Sequence, residues 1–520
     1  MSVEKRVIVL LIIILLSFFS GCTLFDSPEF SLISLVVDDD EGFVGMSISF
    51  NISDKTTLKL FGPDRDVLFL DDYYRGMHNV MAYLDEYRKT PSSGRYNIQA
   101  YDKNENLIFE NELFFKGQNL SILEVNENWW LEDGKYSLVG LNLTIMNYGD
   151  LPVYPYIADV QIDNKESSGL FLPTVILPHQ SRNVYCFIYI DDILSKKSQL
   201  KISLKNNEEN IIANTSHTIF LSENISELTY NWRYLGNNNL VLPDIEFLYK
   251  YYSNLERLVL DDYAAYVFDL YHDQYMDLVV KRLLSLTDAS GDVGKINFVA
   301  SFIQNLGYAE DDPNDPTCEY PRYPVEMLKD SQGDCEDKAI LAGSILDSMG
   351  FNISLLKLPN HMVVGVHLDE SESIFDYYIE EYYFLETTST GWILGKIPPE
   401  YKNLSNVTIY PISTRPLLIH SWKNATRFSG SDESDYVKLK IIVENLGRES
   451  ASNFKILGAF YSQNNILNQE EILIPSLAAG NKKIVDLKLN VPQGISTTLK
   501  TQIHLNNKIV NEKESNSSFP

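Results

Sequence analysis

Apolar and polar residues alternate most clearly in two stretches on either side of the chain's middle. Val139, Leu141, Leu143 and Ile145 occupy every second position and run into Asn147-Tyr148-Gly149-Asp150, the pattern of a half-buried strand entering a turn. Val437, Leu439, Ile441 and Val443 repeat it, with Asn445-Leu446-Gly447 at the same offset from the first valine. Downstream, Leu177 with Val184, Cys186 and Ile188 corresponds to Leu477 with Ile484, Asp486 and Lys488, and Asn206-Asn207 corresponds to Asn506-Asn507. Three matched landmarks define an internal repeat, expected over 118–226 and 434–512. Each copy is roughly 90 residues of short strands, the size of an immunoglobulin-like sandwich. A further all-β module is expected over 28–117, where turn signals such as Phe61-Gly62-Pro63-Asp64 and Pro91-Ser92-Ser93-Gly94 part short apolar runs.

Between the two copies, over 230–417, the period becomes helical. Ile245, Leu248, Tyr249, Tyr252 and Leu255 mark one helix, Met276, Val279, Val280 and Leu283 a second, and Ile296, Val299, Ala300, Ile303 and Leu306 a third. Gly307 stops the third, and an acidic, proline-rich loop follows through Asp311, Asp312, Pro313, Asp315 and Pro316. Gly333-Asp334-Cys335-Glu336-Asp337 opens another helix, with Ile340, Ala342, Ile345, Leu346 and Met349 on its apolar side and Gly350 as its stop. Next come a strand over Leu355–Leu358, a turn at Pro359-Asn360, a strand headed by His361, and a third strand, Tyr382–Leu385, ending at Glu386. The run Ser429-Gly430-Ser431-Asp432-Glu433-Ser434 marks the exit. The expectation is a multidomain chain: one α+β domain flanked by all-β immunoglobulin-like sandwiches.

The N-terminus changes the picture of where the protein works. Lys5 and Arg6 precede an uncharged apolar run from Val7 to Phe19, too short to span a bilayer comfortably, and Gly21-Cys22 closes it as a lipoprotein signal closes. A signal peptide with lipobox is expected over 1–22, with Cys22 the lipid anchor; the alternative is an uncleaved signal anchor ending near Phe25. Either places the rest outside the cytoplasm, membrane-anchored at the cell surface. Ten Asn-x-Ser/Thr sequons suit such a chain. With 71 acidic and 43 basic residues the formal charge is −28, which excludes nucleic acid as a partner. Four cysteines, at 22, 186, 318 and 335, do not make a disulfide scaffold. Cys186 lies in an apolar run and reads as a buried structural thiol, with a Cys186–Cys318 bridge left open.

Cys335 at a helix N-terminus meets free backbone N–H groups and the positive end of the helix dipole, which favour thiolate. Asp334, Glu336 and Asp337 oppose this unless they are paired or point away, so a cationic partner is needed. His361 supplies one, and Glu386 stands where a carboxylate can orient the imidazole. Helix-borne cysteine, strand-borne histidine and strand-end acid, in that order, resemble the transglutaminase-like superfamily. The runs Tyr320-Pro321-Arg322-Tyr323-Pro324-Val325-Glu326, Gly333–Asp337, Pro359-Asn360-His361-Met362 and Glu386-Thr387-Thr388 with Gly391-Trp392 look like its archaeal branch. The resemblance implies an α+β, cysteine-protease-like fold over about a third of the chain. It further implies that Cys335 attacks an amide carbonyl of a protein or peptide substrate, that His361 moves the proton, and that Glu386 holds the tautomer. Better-known members carry Asp at the third position. No residue decides between water and an amine as acceptor. Gln304 is the one side-chain amide nominated for an oxyanion hole, and His367, six residues along the strand, is the rival base.

The repeated sandwiches resemble CARDB modules of surface proteins, which implies spacing or protein binding rather than chemistry. A non-catalytic surface binding protein is therefore the competing expectation. No cofactor and no metal are expected. A zinc site from Cys318, Cys335, His361 and His367 lacks paired short spacings. The clusters Asp38–Glu41 and Asp311-Asp312 lack the spaced-ligand pattern of a calcium loop.

Overall fold

The computed structural model describes residues 29–515 apart from 133, 194–196, 222–224, 259, 312–318, 369–377, 403–405, 413, 429–434 and 464. The expected signal segment with Cys22, the linker 429–434 and Cys318 lie outside the described residues. Among those described, no helix is long and apolar enough to cross a membrane. The chain divides into two compact units, 1–223 and 224–520.

The first unit holds two β-sandwiches. In the N-terminal one, a three-stranded sheet (Phe30–Asp40, Phe43–Ile52, Gly76–Tyr83) faces a four-stranded sheet built on Thr56–Phe61 and Gly94–Asp102. Alternate residues of the two inner faces, such as Met46, Ile48, Phe50, Leu58, Leu60 and Ile98, fill the space between. In the second, Lys135–Asn147 is the central strand of one sheet and Lys197–Lys205 an inner strand of the other. Val184, Cys186 and Ile188 are buried among Leu141, Leu143 and Ile145. Cys186 is a free thiol, pushed up to about 12 by burial, with the N–H of Leu141 working the other way. It is a packing residue.

The second unit ends in a sandwich of the same strand order. Leu418–Phe428, Tyr436–Asn445 and Lys482–Asn490 form one sheet; Asn465–Leu477, Ala451–Ser462, Thr498–Leu505 and Lys508–Glu514 form the other. Two expectations change. Because Leu418–Phe428 pairs with Tyr436–Asn445 along its length, the module begins near 415 and not at 434. The repeat alignment also slips by one residue in its middle. Leu143 faces Val184 in one copy and Ile441 faces Val485 in the other, so Val184, Cys186 and Ile188 correspond to Val485, Leu487 and Leu489. Asp486 and Lys488 point outward, since one step along a strand reverses the face.

Both copies share one corner. Asn147 donates its side-chain amide to the carbonyls of Leu151 and Ile176 and accepts the N–H of Gly149. Asn445 donates to Glu449 and Leu477 and accepts from Gly447. The glycines are required by space: a Cβ on Gly149 would lie 2.3 Å from the Gly117 carbonyl oxygen, and one on Gly447 2.2 Å from that of Arg415.

Before this sandwich lies an α+β domain. Its helices are α1 (Glu246–Ser253), α2 (Ala264–Val267), α3 (Asp273–Leu284), α4 (Asp292–Asn305), α5 (Pro324–Asp330) and α6 (Cys335–Ser348). An antiparallel sheet runs in the order Tyr378–Ile379, Tyr382–Leu385, His361–His367, Asn352–Leu358, Thr408–Ile412. Helix α6 packs on α3, α4, α5 and the two central strands, and Glu336–Leu346 is buried on every side. It is a core helix rather than the one-sided helix its apolar stripe suggested. Gly350, at φ 85°, ends it as expected. A hairpin, Glu227–Arg233 with Asn237–Pro243, docks on the helices through Tyr230, whose hydroxyl donates to the Leu328 carbonyl, and Trp232, whose indole donates to Ser301.

Candidate active site

Cys335 is the first residue of α6. The turn before it is tight: a Cβ on Gly333 would lie 2.5 Å from Asp337 Oδ2 and 2.7 Å from Met327 Sδ. Asp337 is fully buried and spends its carboxylate on structure, accepting the N–H of Asp334 (3.2 Å) and the N–H and guanidinium of Arg322. That acid is therefore paired, as a nucleophilic Cys335 would need. Glu336 is not turned away. The Cys335 thiol donates to Glu336 Oε2 at 3.2 Å. Burial and the Glu336 carboxylate push the thiol well above its ordinary value, and the N–H of Met362 pulls the other way. Met362 directly follows His361, so the sulfur lies against the start of that strand.

His361 Nε2 stands 3.0 Å from Glu386 Oε2, with the histidine side chain 9% and the carboxylate 2% exposed. Thr388 donates its backbone N–H (2.8 Å) and its hydroxyl to the other oxygen. Burial works against the charge on Glu386, but the bonds from His361 and Thr388 outweigh it and hold the carboxyl below its usual range. The ring of Tyr401 stacks on the imidazole, with centroids 5.1 Å apart and planes 16° from parallel. Tyr401 sits forty residues past His361 in a single 3-10 turn, Pro399–Tyr401, and nothing in the sequence pattern flagged it.

Gln304 does not take the place nominated for it. Its side-chain nitrogen donates to the carbonyls of Glu386 (2.8 Å) and Trp392 (3.0 Å), and its oxygen accepts the N–H of Gly391. Both hydrogens are used, so it clamps the 386–392 loop instead of facing an oxyanion. His367 is also removed from the site. It lies six residues, about 20 Å, along the strand, with Nδ1 3.1 Å from the Glu381 carbonyl oxygen. It therefore does not converge with Cys335 on a zinc ion either.

An acidic cluster flanks the thiol. Ligand oxygens of Asp311, Asp334 and Glu336 lie within 4.8 Å of one another. Arg322 reaches Asp311 at 3.5 Å, and Glu336 meets the carboxyls of Glu319 and Asp334, which favours its protonated form. Burial, then those contacts, raises Glu336 to about 9; burial and the charge of Asp337 raise Asp334 to about 7. The charge penalty on the thiol is thus felt mainly above the pH at which Glu336 ionises.

Residues 415–519 match the family model for CARDB, and this part of the chain is a CARDB domain. No curated protein matches the chain. Among solved structures, the exo-chitosanase CsxA of Amycolatopsis orientalis is 8% identical, with 91% of this chain and 76% of that one covered and a TM-score of 0.16. Red sea bream transglutaminase is 9% identical, with 92% and 80% covered and a TM-score of 0.18. The BSP domain of a biofilm-associated protein is 10% identical, with 96% and 97% covered and a TM-score of 0.12. At such TM-scores the likeness carries no argument about this chain.

Proposed function

We propose that the α+β domain is a transglutaminase-like thiol enzyme acting on amide carbonyls of proteins or peptides, with Cys335 as nucleophile, His361 as base and Glu386 as its orienting acid. The observation that carries this reading is the buried His361–Glu386 pair at the strand end against which the Cys335 sulfur rests. With Nε2 bonded to Glu386, Nδ1 is the nitrogen left for the thiol. The sulfur adds to the carbonyl carbon as its proton passes to His361. The C–N bond then breaks, the leaving amine takes that proton, and a thioester remains on Cys335. Water resolves it in a hydrolase and a second amine in a transferase. The signal segment and Cys22 would tether the enzyme outside the cell, with the sandwiches as spacers or docking modules for surface proteins.

One observation favours a second reading, a surface binding protein without chemistry: the thiol donates its hydrogen bond to Glu336. Alkylation of Cys335, followed by mass spectrometry, separates the two. Burial and Glu336 by themselves would leave the thiol inert at pH 7, so reactivity there reports pairing with His361. The expected result is alkylation at pH 7 that falls about 100-fold in His361→Ala. A thiol that is inert, or indifferent to His361, would sink the enzyme reading and leave the binding protein.

A further inference from the structure

Lys338 is 1% exposed and ranks among the largest fully buried side chains of the protein. It lies one helical turn after Cys335 on α6, where residues three apart are neighbours. Its ammonium donates to the carbonyl oxygens of Leu306 (2.7 Å), just past the end of α4, and of Thr388 (3.4 Å), in the loop that follows Glu386. A buried ammonium with two carbonyl acceptors still needs a countercharge. Burial lowers it to about 8, and the carboxylate of Glu386 works the other way.

Glu386 thus has His361 on one oxygen and, through Thr388, the Lys338 ammonium on the side of the other. A charged lysine there opposes a positive charge on the imidazole by direct repulsion. The same lysine joins the nucleophile's helix to the loop carrying Thr388, which in turn fixes the carboxylate. We infer that Lys338 is a positioning residue of this site, tying α6 to the 386–388 segment and setting how strongly Glu386 retains the proton on His361. The inference rests on the reading of Cys335, His361 and Glu386 as one constellation, and it assigns the lysine no contact with substrate.

The test reads His361 itself, so it does not depend on finding a substrate. In the full chain with isotope-labelled histidine, the ring of His361, assigned by its loss in His361→Ala, is titrated by NMR in the parent, Lys338→Met and Lys338→Arg. Lys338→Met is expected to raise the His361 pKa by at least about half a unit, a threefold gain in proton affinity, and Lys338→Arg to restore it toward the parent. A purely structural lysine would lower stability and leave the His361 titration in place, and that result overturns the inference. If Lys338→Met does not fold, the lysine is read directly, as the titration of its labelled Cε in the parent and in Glu386→Gln. Loss of the countercharge must then lower the Lys338 pKa by a unit or more, and an unchanged value overturns the inference. Failure of the alkylation test with success of this one would leave a charge-balanced triad that performs no chemistry.

Discussion

Glu336 buries a carboxyl beside Asp334, Glu319 and the Cys335 thiol, and burial favours its neutral form. An acid that binds its proton more tightly when folded stabilises the folded state fully below its ordinary pKa, near 4.5, and loses that contribution as pH rises through about 9. The melting temperature of the parent is therefore expected to fall from pH 5 to pH 9. In Glu336→Gln the fall should be smaller by at least about 3 °C, measured by calorimetry across that range; equal slopes would show that Glu336 ionises normally. At this scale the sequence was legible where a side chain sits at an element's end. Cys335 follows a cap, His361 follows a turn and Glu386 follows a strand, and each position can be read from the break in periodicity. Lys338 was missed although the signal was present: it shares the helical face of Ala342 and Ile345, and a lysine on a buried stripe needs a counterion. Gln304 was misread because the chain separates it from its three backbone partners by more than eighty residues, a closure no local pattern reveals.

Strands alternate with period two, so a repeat aligned by landmarks is only as good as its register. The Asn-x-Gly corner could be aligned because its spacing is rigid: one asparagine satisfies backbone groups on both sides, and the glycine lets two chains touch. The strand that follows was displaced by one residue because the link between landmarks differs in length, 29 residues from Asn147 to Ile176 and 32 from Asn445 to Leu477. Asn445→Ala deletes two donated bonds and those accepted from Gly447 and Leu417. It is expected to cost the sandwich about 2–4 kcal/mol in chemical denaturation. Asn424→Ala on an exposed strand position should change stability by less than about 0.5 kcal/mol. If the two variants unfold alike, the corner is not what holds the sheets together.

Within the second unit, the sandwich and the α+β domain are joined by arginines. Arg448, next to the corner glycine, pairs with Asp347 of α6, with Asp273 at the start of α3 (3.0 Å) and with the Val267 carbonyl (3.0 Å). Arg415 bonds Asp262 at 2.6 Å. Burial raises Asp273 to about 7 against the pull of Arg448, so removing the arginine leaves acids that prefer to be neutral. Arg448→Ala is expected to cost about 2–3 kcal/mol and to split the unit's melting into two transitions in calorimetry, whereas one unbroken transition would mean that the sandwich and the helices are coupled elsewhere. The sequence showed the two modules and could not show this joint, because its arginine and its acids lie in different domains.

The joint has a mechanical consequence. Helix α6 carries Cys335 at its first turn and Asp347 at its last, about 20 Å away, and it is a stiff rod encased in the core. A load pulling on the C-terminal sandwich would reach that rod at Arg448, beside the paths through Arg415 and the chain itself, so one line of tension through the protein ends at the site where its chemistry is proposed.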